Sequence, residues 1–300
     1  MNGKLSGIVV LHKGEGLTSQ SAVSRVRRLF GAHKAGHSGT LDPMATGVLP
    51  VLLGGATVAA EYLVSGQKHY IATLRLGLTT DTEDTSGTVL SRHEGALPSE
   101  GEVRAAAEGF LGEGEQIPPM YSALKQGGRK LCDLAREGVT VERAPRPITV
   151  YRLTVTPLGG ADYALDVVCS KGTYIRTLCA DIGARLGCGG AMAALSRCEA
   201  GGFTLAEAHT LEELEGMDEA ARAAVLIPTE AIFATLPEVA LPPFFARLGR
   251  AGAEIYQKKI GTSLPLGARA RMKDADGFFA LGEVREFPAG LAIKPIKMFL

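Results

Sequence analysis

The chain has 300 residues, 46% of them hydrophobic and 21% charged, with 32 basic side chains balanced by 32 acidic ones. That length suffices for one large core or two smaller ones, and the composition excludes a disordered chain. The N-terminal apolar run, Ile8 to Leu11, is too short for a signal peptide or a membrane span, and later apolar runs are short too, so a cytoplasmic location is expected.

In chain order, Thr18 and Ser19 can cap a helix whose apolar residues Ala22, Val23, Val26, Leu29 and Phe30 follow helical spacing. Arg25 and Arg28 share its other side, and Gly31 ends it. A glycine-rich loop leads into the apolar run Val48 to Leu53. From His69 to Leu78 the pattern alternates: Tyr70, Ala72, Leu74, Leu76 and Leu78 face one way and Thr73 and Arg75 the other, which predicts a strand. A loop-rich basic excursion follows, marked by Gly112 to Pro119, Gly127–Gly128 and Pro145–Pro147. Tyr163 to Cys169 reads as a second strand. Lys171–Gly172 then turns the chain into a helix carrying Ile175, Leu178, Cys179, Ile182 and Leu186, closed by Gly187. Acidic, alanine-rich helical sequence fills Leu205 to Val225. Pro237, Pro242 and Pro243 read as a linker, and beyond them Asp276–Gly277 signals a tight hairpin. Two domains are therefore expected, an α+β body over residues 1–240 and a small β-rich module over 241–300.

Zero net charge points to no partner by itself, so its distribution matters more than its sum. Basic residues gather in the first sixty residues (Lys4, Lys13, Arg25, Arg27, Arg28, Lys34), from Lys125 to Arg152, and again after Arg247. Acidic residues concentrate from Asp81 to Glu115 and from Glu199 to Glu238, a segregation that permits a basic face on a neutral protein. Of the five cysteines, Cys169, Cys179, Cys188 and Cys198 recur at intervals that fit no zinc pattern, so reduced thiols are expected and no metal. Asp81, Glu83 and Asp84 suggest calcium but fail the EF-hand test, because Ser86 and Arg92 occupy the sixth and twelfth loop positions.

The most informative stretch is GHSGTLDPMATGVLP, residues 36–50, which puts His37 and Asp42 in a loop between a basic helix and an apolar strand. An Asp before a Pro is ordinarily a turn former, and no Gly-Lys-Ser/Thr follows to make a phosphate cradle. The whole stretch resembles the catalytic loop of the TruB family of tRNA pseudouridine synthases. Further motifs of that family recur downstream in order: KHYIATLRLG, DTEDTSG, IPPMYSALKQGGRKL, CSKGTYIRTLCADIG and LSRCEAGGFTL. The resemblance covers about residues 5–230, and the final module resembles the PUA-like RNA-binding domain that ends such proteins. It implies a pseudouridine synthase fold: a mixed, largely antiparallel central sheet flanked by helices, a basic thumb-like insertion at about 118–150, and a small C-terminal β-barrel. Cys132 stands where the family usually has a tyrosine.

The resemblance makes Asp42 the nucleophile. Isomerising uridine breaks the C1′–N1 bond, rotates the uracil and bonds C5 to C1′. A carboxylate can assist by attacking C1′ or C6, or by removing the C2′ proton to give a glycal. Arg176, in the first turn of its helix, opposes the helix dipole, and a carboxylate beside it would relieve that cost. In the family the residue matching Tyr70 stacks on the extruded uracil and handles a proton. Tyr174 resembles a second wall of the same pocket, Asp84 a residue that hydrogen-bonds near the base, and His37 one that wedges into the vacated space. Lys171, Lys13 and Arg129 are expected as substrate-binding cations.

The expected function is isomerisation of the T-loop uridine of tRNA by base flipping, by a monomer needing no cofactor, membrane or protein partner. Alternatives are an RNA-binding or tRNA-folding chaperone on the same fold, and a guide-RNA-dependent synthase working inside a ribonucleoprotein.

Overall fold

The structure is a computed structural model that describes residues 5–64 and 66–299. Its body is built on a nine-stranded sheet. In chain order the elements that shape the site are β1 (Gly7–Lys13), α1 (Ser19–Leu29), β2 (Ala35–His37), β3 (Thr46–Leu53), β4 (Lys68–Leu76), β5 (Gly112–Gln116), β6 (Arg146–Gly159), β7 (Asp162–Cys169), α2 (Ile175–Arg185), β8 (Gly190–Ala200) and β9 (Phe203–Thr204). Along the sheet the order is β1-β3-β8-β4-β7-β6-β5, with β2 beside β3 and β9 beside β8. All pairs are antiparallel except β3 with β8, which meet in parallel at Ser196–Thr46 and Arg197–Gly47.

The apolar runs of β1 and β3 reflect burial on both faces. Val9, Leu11, Leu49, Val51 and Leu53 enter one core with α1, β4, β7 and α2. Ile8, Val10, Val48 and Leu52 enter a second core on the opposite face. On β4, Tyr70, Ala72, Leu74 and Leu76 are buried as the alternation predicts, but the strand ends at Leu76. Gly77 takes φ +85°, and Leu78 begins the separate short strand Leu78–Thr80.

Helix α1 is capped as expected: Ser21 N donates to Thr18 Oγ1, and Gly31 closes it at φ +62°. Helix α2 ends before Gly187, also at positive φ. Gly183 of α2 lies so close to the start of β8 that a Cβ there would come within 2.1 Å of Gly190 N, so the helix seats on the sheet without a side chain between. The expected acidic helical stretch divides into a short 3₁₀ turn and two short helices, Leu211–Gly216 and Glu219–Ala224.

The second sheet has five strands, β10 (Glu238–Ala240), β11 (Ile255–Tyr256), β12 (Arg269–Asp274), β13 (Gly277–Phe287) and β14 (Gly290–Met298), in the order β10-β12-β13-β14-β11. It takes in Glu238–Ala240 ahead of Pro242, while Pro243 opens the helix α3 (Pro243–Arg250). The hairpin turns on Ala275–Asp276, with Gly277 at φ +110° opening the return strand. This sheet is seated on the body: Leu281 is buried in the second core, where Phe233, Phe278 and Phe299 cluster, and Lys297 pairs with Glu61 at 2.7 Å. No helix among the described residues is long and apolar enough to cross a membrane.

Candidate active site

A cleft of about 1430 Å³ opens over the carboxyl side of β2 and the β2–β3 loop, lined by residues from both ends of the body. Asp42 sits in this loop, and three buried groups hold the loop from beneath. Ser19 Oγ donates to Leu41 O at 2.9 Å and accepts from Leu41 N at 2.8 Å, which ties the loop to the start of α1. Lys13 Nζ donates to the carbonyls of Gly14, Leu17 and Pro43 at 2.8, 2.8 and 3.2 Å. Arg197, 1% exposed, donates from Nε to Val48 O at 2.8 Å and from its two terminal nitrogens to Thr40 and Gly39 carbonyls. A buried charge of this kind is tolerable only because carbonyl dipoles satisfy it. Arg197 reaches the loop because β3 and β8 touch there. A Cβ on Gly47, at φ +106°, would lie 2.2 Å from Arg197 O.

Arg176 joins the loop to the rest of the cleft. Its side chain is 5% exposed, and Nε donates to Asp42 Oδ2 at 2.8 Å. Its other two nitrogens donate to Thr82 O and Tyr121 O, both at 2.8 Å. Asp42 is 34% exposed, and its Oδ1 accepts no hydrogen bond among the described residues. Asp84 lies 3.8 Å from Arg176 Nε through Oδ2. Its Oδ1 is occupied within its own turn by Thr82 Oγ1, Ser86 N and Ser86 Oγ. That turn contains Glu83 at φ +64°, whose carboxylate accepts from Thr177 Oγ1 at 2.5 Å and whose backbone is tied to Met192 of β8. Burial pushes the Glu83 carboxyl up.

Tyr70, 7% exposed, lines the cleft from β4, opposite Arg197 in the strand register. Burial pushes its phenol upward, so it stays protonated at neutral pH. Tyr174 precedes α2, and Gln116 clasps its backbone, accepting from Tyr174 N at 2.7 Å and donating to its carbonyl at 3.0 Å. His37, on β2, accepts from Gly39 N through Nδ1, and burial with the Arg197 charge lowers its pKa, which keeps the ring neutral.

His37, Asp42, Tyr70, Asp84, Lys171, Tyr174 and Arg176 thus line one cleft. Two of the expected substrate-binding cations do not. Lys13 has no exposed surface, and its amine is committed to three carbonyls, so it braces the loop from inside instead of reaching a ligand. Arg129 lies on a short exposed hairpin outside the cleft lining, ion-paired with Glu137. Of the three only Lys171 lines the cleft, whose other cations are Lys68, Lys130, Arg136 and Arg146, besides Arg176 and Arg197. Arg197 escapes a residue-by-residue reading, although it lies inside LSRCEAGGFTL and is a charge sharing a cleft face with Leu195. Cys132 also lines the cleft, half-buried. Cys169, Cys179 and Cys188 are buried thiols, and burial pushes Cys169 up to about 11.

Comparison with known proteins places these features. Residues 27–175 match the TruB family pseudouridylate synthase N-terminal domain, and residues 176–234 match the tRNA pseudouridylate synthase B C-terminal domain. A protein of Saccharophagus degradans named tRNA pseudouridine synthase B is 41% identical over 290 residues, covering 94% of this chain and 93% of the relative. One of the same name from Chromohalobacter salexigens is 48% identical over 235 residues, covering 78% and 76%. Among solved structures, one of a Cbf5-Nop10-Gar1 complex contains a chain 28% identical to this one, with a TM-score of 0.72, covering 98% of this chain and 85% of the other. The body is a pseudouridine synthase fold and the five-stranded sheet is its PUA-like companion.

Proposed function

The chain belongs to the TruB family of pseudouridylate synthases and isomerises a tRNA uridine to pseudouridine; from that premise we propose that the T-loop uridine is flipped into the cleft and that Asp42 opens its glycosidic bond. The observation that carries this reading is the division of labour on one carboxylate. Oδ2 is gripped by Arg176 at 2.8 Å, while Oδ1 is left without a protein partner among the described residues, in a cleft large enough for an extruded nucleotide.

Attack on C1′, attack on C6 and removal of the C2′ proton all require such an oriented, unencumbered oxygen. Uridine and pseudouridine have the same atoms and oxidation level, so the step needs no net redox partner. Tyr70 offers a ring face to the flipped uracil, which contributes about 1–3 kcal/mol per stacked base. Its protonated phenol can also pass a proton when C5 gives one up and N1 gains one. Tyr174 forms the facing wall, and His37, neutral and fixed against Gly39, fills the space left by the base. Asp84 holds the Arg176 side of the cleft, and Lys171 meets the RNA backbone at its rim. The module from residue 238 adds RNA contacts beyond the cleft.

We propose a stand-alone cytoplasmic monomer acting on free tRNA. The relatives at 40–48% identity carry the name tRNA pseudouridine synthase B, whereas the protein of the Cbf5-Nop10-Gar1 complex is more distant at 28%. The test is to incubate the pure protein with an unmodified tRNA transcript and map pseudouridine by carbodiimide-dependent primer extension. A single stop in the T loop is expected. Asp42→Asn should leave below about 1% of wild-type turnover with tRNA affinity within a few-fold. A modified site elsewhere in the RNA, or an active asparagine variant, would break the reading.

A further inference from the structure

A second recess, of about 320 Å³, lies on the flank of the body, lined by Gln20, Val23, Ser24, Arg27, His33, Lys34 and Ala35. No acidic side chain lines it, and neither Arg27 nor Lys34 has a carboxylate within 4.0 Å among the described residues. Neighbouring Arg25, by contrast, is paired with Glu215 at 2.6 Å.

The recess is built rather than incidental. After α1 the chain folds straight back, with Gly31 N donating to Arg28 O and Ala32 N to Arg27 O. Lys34 O then accepts from Gly54 N at 3.0 Å, and Ala35 enters β2 opposite Leu53. His33 and Lys34 are therefore set against the side of α1 that presents Gln20, Ser24 and Arg27 at helical spacing. Cations in the last turn of a helix favour its dipole, which accounts for Arg27 alone. His33 and Lys34 lie beyond the helix and need another reason.

Two distances along the chain place the recess relative to the catalytic cleft. Gln20 lines both cavities, and Arg27 stands seven residues along α1 from it, about 10 Å. Lys34 precedes His37 by three residues on the path into β2, and His37 lines the catalytic cleft, again about 10 Å away. Both paths put an unneutralised pair of cations one short step outside the cleft.

We infer that this recess binds phosphodiesters of the substrate RNA strand as it leaves the catalytic cleft past His37. The inference rests on the functional reading above and adds a substrate-binding subsite to it. Arg27 and Lys34 supply the charge, while Gln20, Ser24 and His33 supply hydrogen bonds to phosphate oxygens, contacts that position the RNA without reading its bases.

The test is the paired variant Arg27→Ala/Lys34→Ala in the full-length protein, with Arg27→Lys/Lys34→Arg as the charge-keeping control. Single-turnover modification of a tRNA transcript is followed over RNA concentration and salt. Direct binding of the same RNA is measured in the Asp42→Asn background. The alanine pair should raise the half-saturating RNA concentration roughly tenfold near physiological salt and flatten log K against log salt by about 0.7–0.9 for every phosphate no longer neutralised. The saturating rate should stay within about twofold of wild type, and the charge-keeping pair should bind as wild type does. An unchanged salt slope would overturn the proposal, as would a collapsed saturating rate at unchanged affinity, which would make these side chains supports of the catalytic loop. Wild-type turnover in the same experiment reports on the functional reading separately. If it were absent, the binding arm would still decide whether the recess holds RNA.

Discussion

The floor and the roof of the cleft use the same residue types in opposite ways. On the floor, Lys13, Arg176 and Arg197 are almost wholly buried, and their donors are spent on backbone carbonyls and on Asp42. In the roof, residues 117–145, the hairpin cations and Arg136 are exposed, and their ion pairs are short-range and solvated, as with Arg136 and Asp133. Only Leu131 and Leu134 of the short helix Leu131–Arg136 in this roof are buried. Buried, carbonyl-satisfied cations cannot reorient without stranding polar groups, so they fix where Asp42 sits. Solvated cations adapt to a phosphate backbone at little structural cost. Substitutions on the floor should therefore change rate, and substitutions in the roof should change affinity.

The largest effect is expected at Arg176. Lysine keeps the charge but cannot make the three directed bonds to Asp42, Thr82 and Tyr121. Arg176→Lys should lower the saturating rate by about 100-fold, as a misplacement near 1 Å does, with tRNA binding nearly unchanged. A lysine variant with normal turnover would show that Asp42 needs no such grip and would erase the contrast between floor and roof.

A pH profile sharpens the same contrast. Burial pushes the Lys13 amine down to about 8, partly offset by the Asp42 charge. Raising the pH through that value should remove its proton and weaken the brace on Pro43, so the saturating rate should fall by several-fold along an alkaline limb centred near 8. Stability moves the other way. The unfolded chain keeps this proton up to about 10.5 and the folded chain only to about 8, so between those values the unfolded state binds more protons, and this group makes folding more favourable as pH rises. Burial pushes Tyr70 and Cys169 upward, so neither accounts for a limb at that position. The check is the saturating rate from pH 6 to about 9.5, for wild type and for Lys13→Arg. A limb that stays near 8 in the arginine protein would belong to some other group.

The floor is also harder to read in the sequence than the elements around it. Helices α1 and α2 and strands β4 and β7 announce themselves by apolar period and by terminal glycines, because each has one buried face. Strand β8 does not: register shifts between Met192 and Ala194 and between Arg197 and Glu199 break its alternation, and its residues are mostly small. Leu195 and Arg197 lie between these two shifts and line the cleft, so the segment that supports the loop is the one without a clean period. Pro145 and Pro147 obscure the start of β6, yet their neighbours pair with β5 as an outer strand. Charge alone assigns Lys13 to RNA. Only the fold reveals that the chain curls its carbonyls around the amine.

The smallest effect is expected in the roof. Lys130 and Arg136 line the cleft from its exposed side. Arg136 contacts Asp133 at 3.2 Å with both side chains at least half exposed, so losing that pair should cost the fold at most about 1 kcal/mol. Neither residue hydrogen-bonds or ion-pairs with Asp42, Tyr70 or Arg176 among the described residues. Lys130→Ala/Arg136→Ala should therefore melt within a few degrees of wild type and react at the wild-type rate once saturated. Its cost should appear only in the half-saturating RNA concentration, raised several-fold near physiological salt and less at higher salt, because each phosphate left unneutralised takes about 0.7–0.9 from the salt slope. A tenfold fall in the saturating rate, with affinity intact, would mean that the roof helps to place the uridine, and that the division between a positioning floor and a gripping roof is wrong.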